Sequence, residues 1–186
     1  MLSITSMLGT GGAWKVIDSR NVTSTVASVD FTTGIDSTYR TYAVHWEGVV
    51  GDTNIDSLRV AFGDSSGFDT GASDYKDTGY WMYDGAGFAA TGNANADSYI
   101  DLQSLYSGTV AGSSLFGQAT FSRPTDGVSF PIFDWHGGNF SHSSETRMAS
   151  GCGIRQAAIT VDRLRFIFYT GTIIRGRFTL YGIGHA

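Results

Sequence analysis

From Trp14 onward, apolar and polar side chains alternate with period two in short runs, separated by clusters of Gly, Asp, Ser and Thr. An extended chain turns successive side chains to opposite faces, so these runs read as half-buried antiparallel strands rather than strand–helix–strand units. The pattern predicts strands near 14–18, 25–31, 40–50, 57–63, 78–84, 98–102, 114–122, 128–136, 153–160, 163–169 and 175–183. An open sheet of ten or eleven strands would leave long free edges, so two packed layers are expected. The fold class is all-β: a single-domain antiparallel β-sandwich, jelly-roll-like, over residues 13–186, with 1–12 as a flexible lead.

The last two runs show the logic. Leu164, Phe166 and Phe168 alternate with Arg163, Arg165 and Ile167, and Phe178, Leu180 and Gly182 alternate with Arg177, Thr179 and Tyr181. With Thr170-Gly171-Thr172 as a turn, a hairpin would lay both apolar rows against one core, and Phe178, Leu180, Tyr181, Gly182 and Ile183 form the structural closing strand. The arginines on the other face then need acidic partners, which Asp-rich strands of the first half can supply. All four tryptophans fall within predicted strands, and most are expected as core or inter-subunit anchors.

Composition sharpens this picture. Only Glu47 and Glu145 of the 17 acidic residues are Glu, and only Lys15 and Lys76 of the 12 basic residues are Lys, so the residues that cover exposed helix faces are nearly missing. Hydrophobic residues make up 41% of the chain, enough for a packed core in 186 residues. Residues 1–101 hold thirteen acidic and five basic side chains (−8) and residues 102–186 four and seven (+3), giving the net −5. That asymmetry speaks against a nucleic-acid footprint. It suits head-to-tail packing of identical subunits, or it disappears if strands of both halves interleave. Cys152 is the only cysteine, so the core must hold the fold without an intrachain disulfide, and synthesis inside the cell is implied. No signal-peptide pattern and no run of eighteen apolar residues occurs, so neither export by that route nor membrane insertion is expected.

Candidate chemistry is sparse. Asp64, Asp69, Asp74 and Asp77 lie in the polar stretch 63–77, but their spacing differs from an Asp-x-Asp-x-Asp-Gly calcium loop, and a solvated acidic loop is the reading. His45, Asp134, His136, His142 and Cys152 form a possible zinc or nucleophile set that lacks a second cysteine and a nucleophile elbow. Paired carboxylates for glycoside cleavage cannot be singled out among so many aspartates. Gly9-Thr10-Gly11-Gly12 is not followed by the Lys of a phosphate loop, since Lys15 comes after Ala13 and Trp14. No catalytic or metal residue and no cofactor is therefore expected. Two further stretches, 85–97 and 137–151, read as long loops, where binding often resides. Tyr75, Tyr80, Tyr83 and Tyr106, read as exposed beside Asp and Asn, are the candidate binding residues, able to stack on sugar rings.

Two stretches carry a resemblance. Ile159-Thr-Val-Asp-Arg-Leu-Arg-Phe-Ile-Phe168 and Thr170-Gly-Thr-Ile-Ile-Arg-Gly-Arg-Phe-Thr-Leu-Tyr-Gly-Ile183 resemble the ending of small virion structural proteins of tailed bacteriophages, which close on an I-x-x-G-x-F-x-L-Y-G strand. Trp14-Lys-Val-Ile-Asp-Ser19 and Val29-Asp-Phe-Thr-Thr-Gly-Ile-Asp-Ser-Thr-Tyr39 are similar to that family's opening, F-x-x-G-I-D-x-x-Y between strands. The resemblance implies a non-enzymatic β-sandwich subunit on the outside of a virion, made in the host cytoplasm, as a tail-fibre or baseplate appendage or a capsid decoration. It implies partners among copies of itself, in a cyclic oligomer with a trimer favoured, and among other virion proteins. A host-surface glycan is the alternative partner, through a carbohydrate-binding module at a fibre tip. No functional residue carries over from the family.

Overall fold

The computed structural model describes residues 14–54, 56–84, 86–107, 109, 112–123, 128–140 and 145–184, with the backbone alone at 86–87, 91–96 and 103–107. Among the described residues there are thirteen strands and no helix. They are β1 (Trp14–Val22), β2 (Ser28–Phe31), β3 (Thr41–Gly51), β4 (Asp56–Asp64), β5 (Gly67–Phe68), β6 (Tyr75–Tyr83), β7 (Ala86–Asp97), β8 (Ile100–Ser107), β9 (Ser114–Ser122), β10 (Ile132–Phe140), β11 (Thr146–Arg155), β12 (Arg163–Phe168) and β13 (Ile173–Ile183). The large sheet has eight strands in the order β1-β13-β3-β9-β10-β11-β6-β7. The small sheet runs β2-β12-β4-β5, and β8 shares the β5 edge of β4. Every strand pair is antiparallel. The chain is a two-layer antiparallel β-sandwich, as its alternation predicts.

The core lies between the layers, where the inward rows of both sheets meet. Phe166 of β12 sits 5.0 Å from Phe178 of β13 and 5.9 Å from Trp46 of β3, ring centre to ring centre. Phe62 of β4 meets Phe121 of β9 at 5.6 Å and Phe133 of β10 at 6.1 Å. Trp46 and Trp135 are almost wholly buried, and each lies over a glycine of the neighbouring strand: a β-carbon on Gly117 would collide with the Trp46 ring, and one on Gly151 with Trp135. Trp81 is half-buried and Trp14 is exposed, packing at 5.5 Å on Tyr181.

Several expectations are corrected. β12 and β13 do not form a hairpin: β12 pairs with β2 and β4 in the small sheet, and β13 with β1 and β3 in the large one. Both rows still face one core, but from opposite layers. The crossing segment is held by carboxylates of the β3–β4 connection and the start of β4. Asp56 accepts hydrogen bonds from Thr170 N at 3.1 Å and Gly171 N at 2.6 Å, and Asp52 from Thr172 N at 2.8 Å. The stretch 85–97, read as a loop, is largely β7, the edge strand of the large sheet. Ala90, Gly92, Ala94 and Ala96 do alternate with Thr91, Asn93, Asn95 and Asp97, but a row of Ala and Gly is too small to stand out as a buried apolar face. The stretches 63–77 and 137–151 likewise contain β5 and parts of β6, β10 and β11. Within the closing strand, Phe178 and Leu180 are fully buried, while Tyr181 and Ile183 point to the outer face, and β13 is interior rather than terminal.

The charge asymmetry is largely resolved within the chain. Arg165 binds Asp30 through two hydrogen bonds of 2.8 and 2.6 Å, Arg155 reaches Asp69 at 2.9 Å and Asp74 at 3.2 Å, and Arg177 faces Glu47 at 3.8 Å. First-half carboxylates thus meet second-half arginines because strands of the two halves interleave. The lead 1–12, with Gly9 to Gly12, lies outside the described residues.

Candidate binding groove on the large sheet

Antiparallel register turns the period-two alternation of single strands into rows that cross the whole sheet. One outward row runs Thr179↔His45, His45↔Gln118, Gln118↔His136, His136↔Ser150 and Ser150↔Tyr80 over six strands, roughly 24 Å at the usual strand spacing. The next outward row reads Phe116↔Gly138, Gly138↔Met148, Met148↔Met82 and Met82↔Phe88. Gly138 has no side chain, and the Phe116 ring leans into that space, 2.8 Å from where a β-carbon would stand.

Between these rows lies a groove of about 480 Å³, walled by Phe116 on one side and by Tyr80, Met82 and Met148 on the other, with His45, Gln118, His136 and Ser150 along its polar flank. Among the described residues, no Asp, Glu, Lys or Arg lines it. Tyr80 is 46% exposed and Phe116 55%, so large rings stand in solvent on strands rather than on loops. Tyr80 is braced by Phe88 at 5.5 Å. Ser150 Oγ donates to the Trp135 carbonyl at 3.1 Å. Imidazole, amide and hydroxyl groups together offer both donors and acceptors without a fixed charge.

Among the described side chains, Tyr80 is the one candidate tyrosine that lines this groove. Tyr75 is a correction: it is fully buried on β6, where its hydroxyl accepts the Phe62 N–H at 2.8 Å and lies 3.0 Å from the Asp69 carbonyl, to which it donates. Burial pushes its phenol far above the usual range. Tyr83, also on β6, points to the opposite side of the sheet from Tyr80 and stacks on Trp81 at 5.1 Å, under the Arg147 guanidinium. The backbone of Tyr106 pairs with Ser57, and its side chain lies outside the described residues.

The histidine–cysteine set is partly assembled but chemically separate. His45, Asp134, His136 and Cys152 share the outer face of the large sheet, with Asp134 opposite Cys152, yet Gln118 stands between the two histidines. Burial, and secondarily the Asp134 charge, push the Cys152 thiol up, away from the thiolate that a nucleophile or metal ligand needs. His142 lies outside the described residues. Among the described residues no three His, Cys, Asp or Glu side chains converge on a metal position.

The acidic stretch is dispersed in the same way. Asp64 accepts from Ser66 N at 2.8 Å, Asp69 and Asp74 bind Arg155, and buried Asp77 accepts from Asp101 N at 3.2 Å. Gln118, Ser150, Phe116, Met148 and Phe88 were not singled out in the sequence. Their outward positions follow from alternation, but their company depends on β9, β10, β11 and β6 lying side by side, which periodicity alone does not give. A scan of protein-family models, a search of curated proteins and a search of solved structures each found no match.

Proposed function

We propose that the chain is a non-enzymatic structural protein on the exterior of a tailed-phage virion, in a tail-fibre or baseplate appendage or as a capsid decoration. The observation that carries this reading is the set of large apolar side chains that the sandwich leaves in solvent at one end of the large sheet. Trp14 and Val16 on β1 and Val128, Phe130 and Ile132 before and at the start of β10 are all 45% exposed or more. The register places Trp14 opposite Ile183, Ile183 opposite Thr41 and Thr41 opposite Ser122, whose Oγ accepts the Ile132 N–H at 3.2 Å, so these side chains belong to one end of the sheet. Apolar surface of this kind marks a contact with another chain, and copies of the same chain in a cyclic oligomer, a trimer by preference, are the partner of this reading.

The resemblance of the opening and closing strands to small virion proteins supports the same assignment, and so does a core held without disulfides. The test is mass spectrometry of purified particles, where the chain is expected as a stoichiometric component. Sedimentation of the isolated protein is expected to show an oligomer. A monomer that is missing from particles would end the reading. The groove on the same sheet favours a second, compatible reading, recognition of a host glycan.

A further inference from the structure

We propose that the groove on the large sheet binds a neutral carbohydrate, a refinement that rests on the particle-exterior reading. Its volume, about 480 Å³, falls in the range of sites that hold small ligands. Its lining favours a neutral ligand: among the described residues no Asp, Glu, Lys or Arg supplies a permanent charge to an anionic or cationic ligand, whereas a purely apolar ligand would strip water from the polar row without replacing it. A short oligosaccharide matches both walls. The C–H face of one ring packs on Tyr80 and that of another on Phe116, since these side chains stand on β6 and β9, three strand positions and roughly 14 Å apart. The sugar hydroxyls exchange hydrogen bonds with Gln118, flanked in register by His45 and His136. Among the described residues these three side chains make no hydrogen bond of their own, so binding displaces only water. The strands hold this row in place, and little ordering accompanies binding.

The test uses the full chain on an array of neutral, sialylated and sulfated oligosaccharides, followed by calorimetric titration of the best neutral binder. Binding of neutral glycans, with no gain from sialic acid or sulfate, is expected. Tyr80→Ala and Gln118→Ala are each expected to weaken it about tenfold or more. Tyr169→Ala, an exposed aromatic after β12, is expected to leave affinity unchanged. Thermal melts confirm that each variant is folded, and if one is not, the other decides. Absence of neutral-glycan binding, or binding unchanged in the folded Tyr80 and Gln118 variants, overturns the site. The two readings fail separately. Glycan binding by a chain missing from particles leaves the groove and removes the virion role, and particles carrying a chain that binds no glycan do the reverse.

Discussion

Trp135 of β10 and Gly151 of β11 are register partners, and a β-carbon on Gly151 would stand 2.7 Å from the Trp135 indole. The tryptophan lies along its neighbouring strand because that strand presents no side chain there. The same relation joins Trp46 and Gly117 two strands away. Close-packed interiors tolerate an added methyl poorly, since it forces rotamers and backbone apart. Gly151→Ala and Gly117→Ala should each destabilise the protein by about 1–3 kcal/mol in chemical denaturation. An unchanged midpoint for both would mean that the rings are free to move aside.

Tyr75 fills a gap in the small sheet. β5 has only two residues, so the Phe62 N–H has no strand partner on that side and donates to the Tyr75 hydroxyl instead. Tyr75→Phe keeps the ring but leaves that N–H buried and unpaired, and a loss of about 1–3 kcal/mol is expected. Since burial raises the phenol, spectroscopic titration of the folded protein should show one tyrosine that ionises only on unfolding.

Acid stability should depend on Asp52. Hydrogen bonds from the Thr172 hydroxyl and N–H, in that order, hold its carboxyl below the usual carboxylate range. A lowered folded pKa means stability that is present above the unfolded value of about 3.9 and is lost as pH falls through the lower folded value. Asp52→Asn should therefore be less stable than the parent at pH 7, with the difference shrinking as melts are taken below pH 4. A difference that stays constant to pH 2 would separate the carboxylate from the crossing segment.

Self-association should map to the Trp14 and Phe130 end of the sheet. Phe130→Asp with Val128→Asp is expected to shift the protein to monomer in sedimentation velocity while it stays folded in thermal melts, because Val128 is 77% exposed and Phe130 45%. An oligomer that survives both changes would place the contact elsewhere.

How far the fold was legible follows from what alternation encodes. The 114–122 strand is legible to the residue, because Leu115, Ala119 and Phe121 alternate with polar Gln118 and Thr120, and Phe116 alone puts a large apolar side chain on the outward row. β7 escapes because its apolar row from Ala90 to Ala96 is only Ala and Gly, the composition of a polar loop, even though it alternates with Thr91, Asn93, Asn95 and Asp97. Tyr75 reads as loop because Asp69 and Asp74 precede it, yet both serve Arg155 of β11, 86 and 81 residues away. The hairpin expectation failed on a similar point. Alternation gives the inward row of β12 and of β13, but the choice between pairing and crossing rests with Asp52 and Asp56, contributed by a distant segment. The groove was visible only as Tyr80, His45 and His136 taken singly, for a binding face built across strands depends on sheet order.

The central claim is a place on the outside of a virion, and electron cryomicroscopy of particles carrying the chain tests it most directly. The expected map shows an eight-on-five-stranded sandwich at the particle surface, its Trp14 and Phe130 end against neighbouring subunits and the Tyr80–Phe116 groove open to solvent. Particles without such density, or with the sandwich enclosed and the groove buried inward, would contradict it.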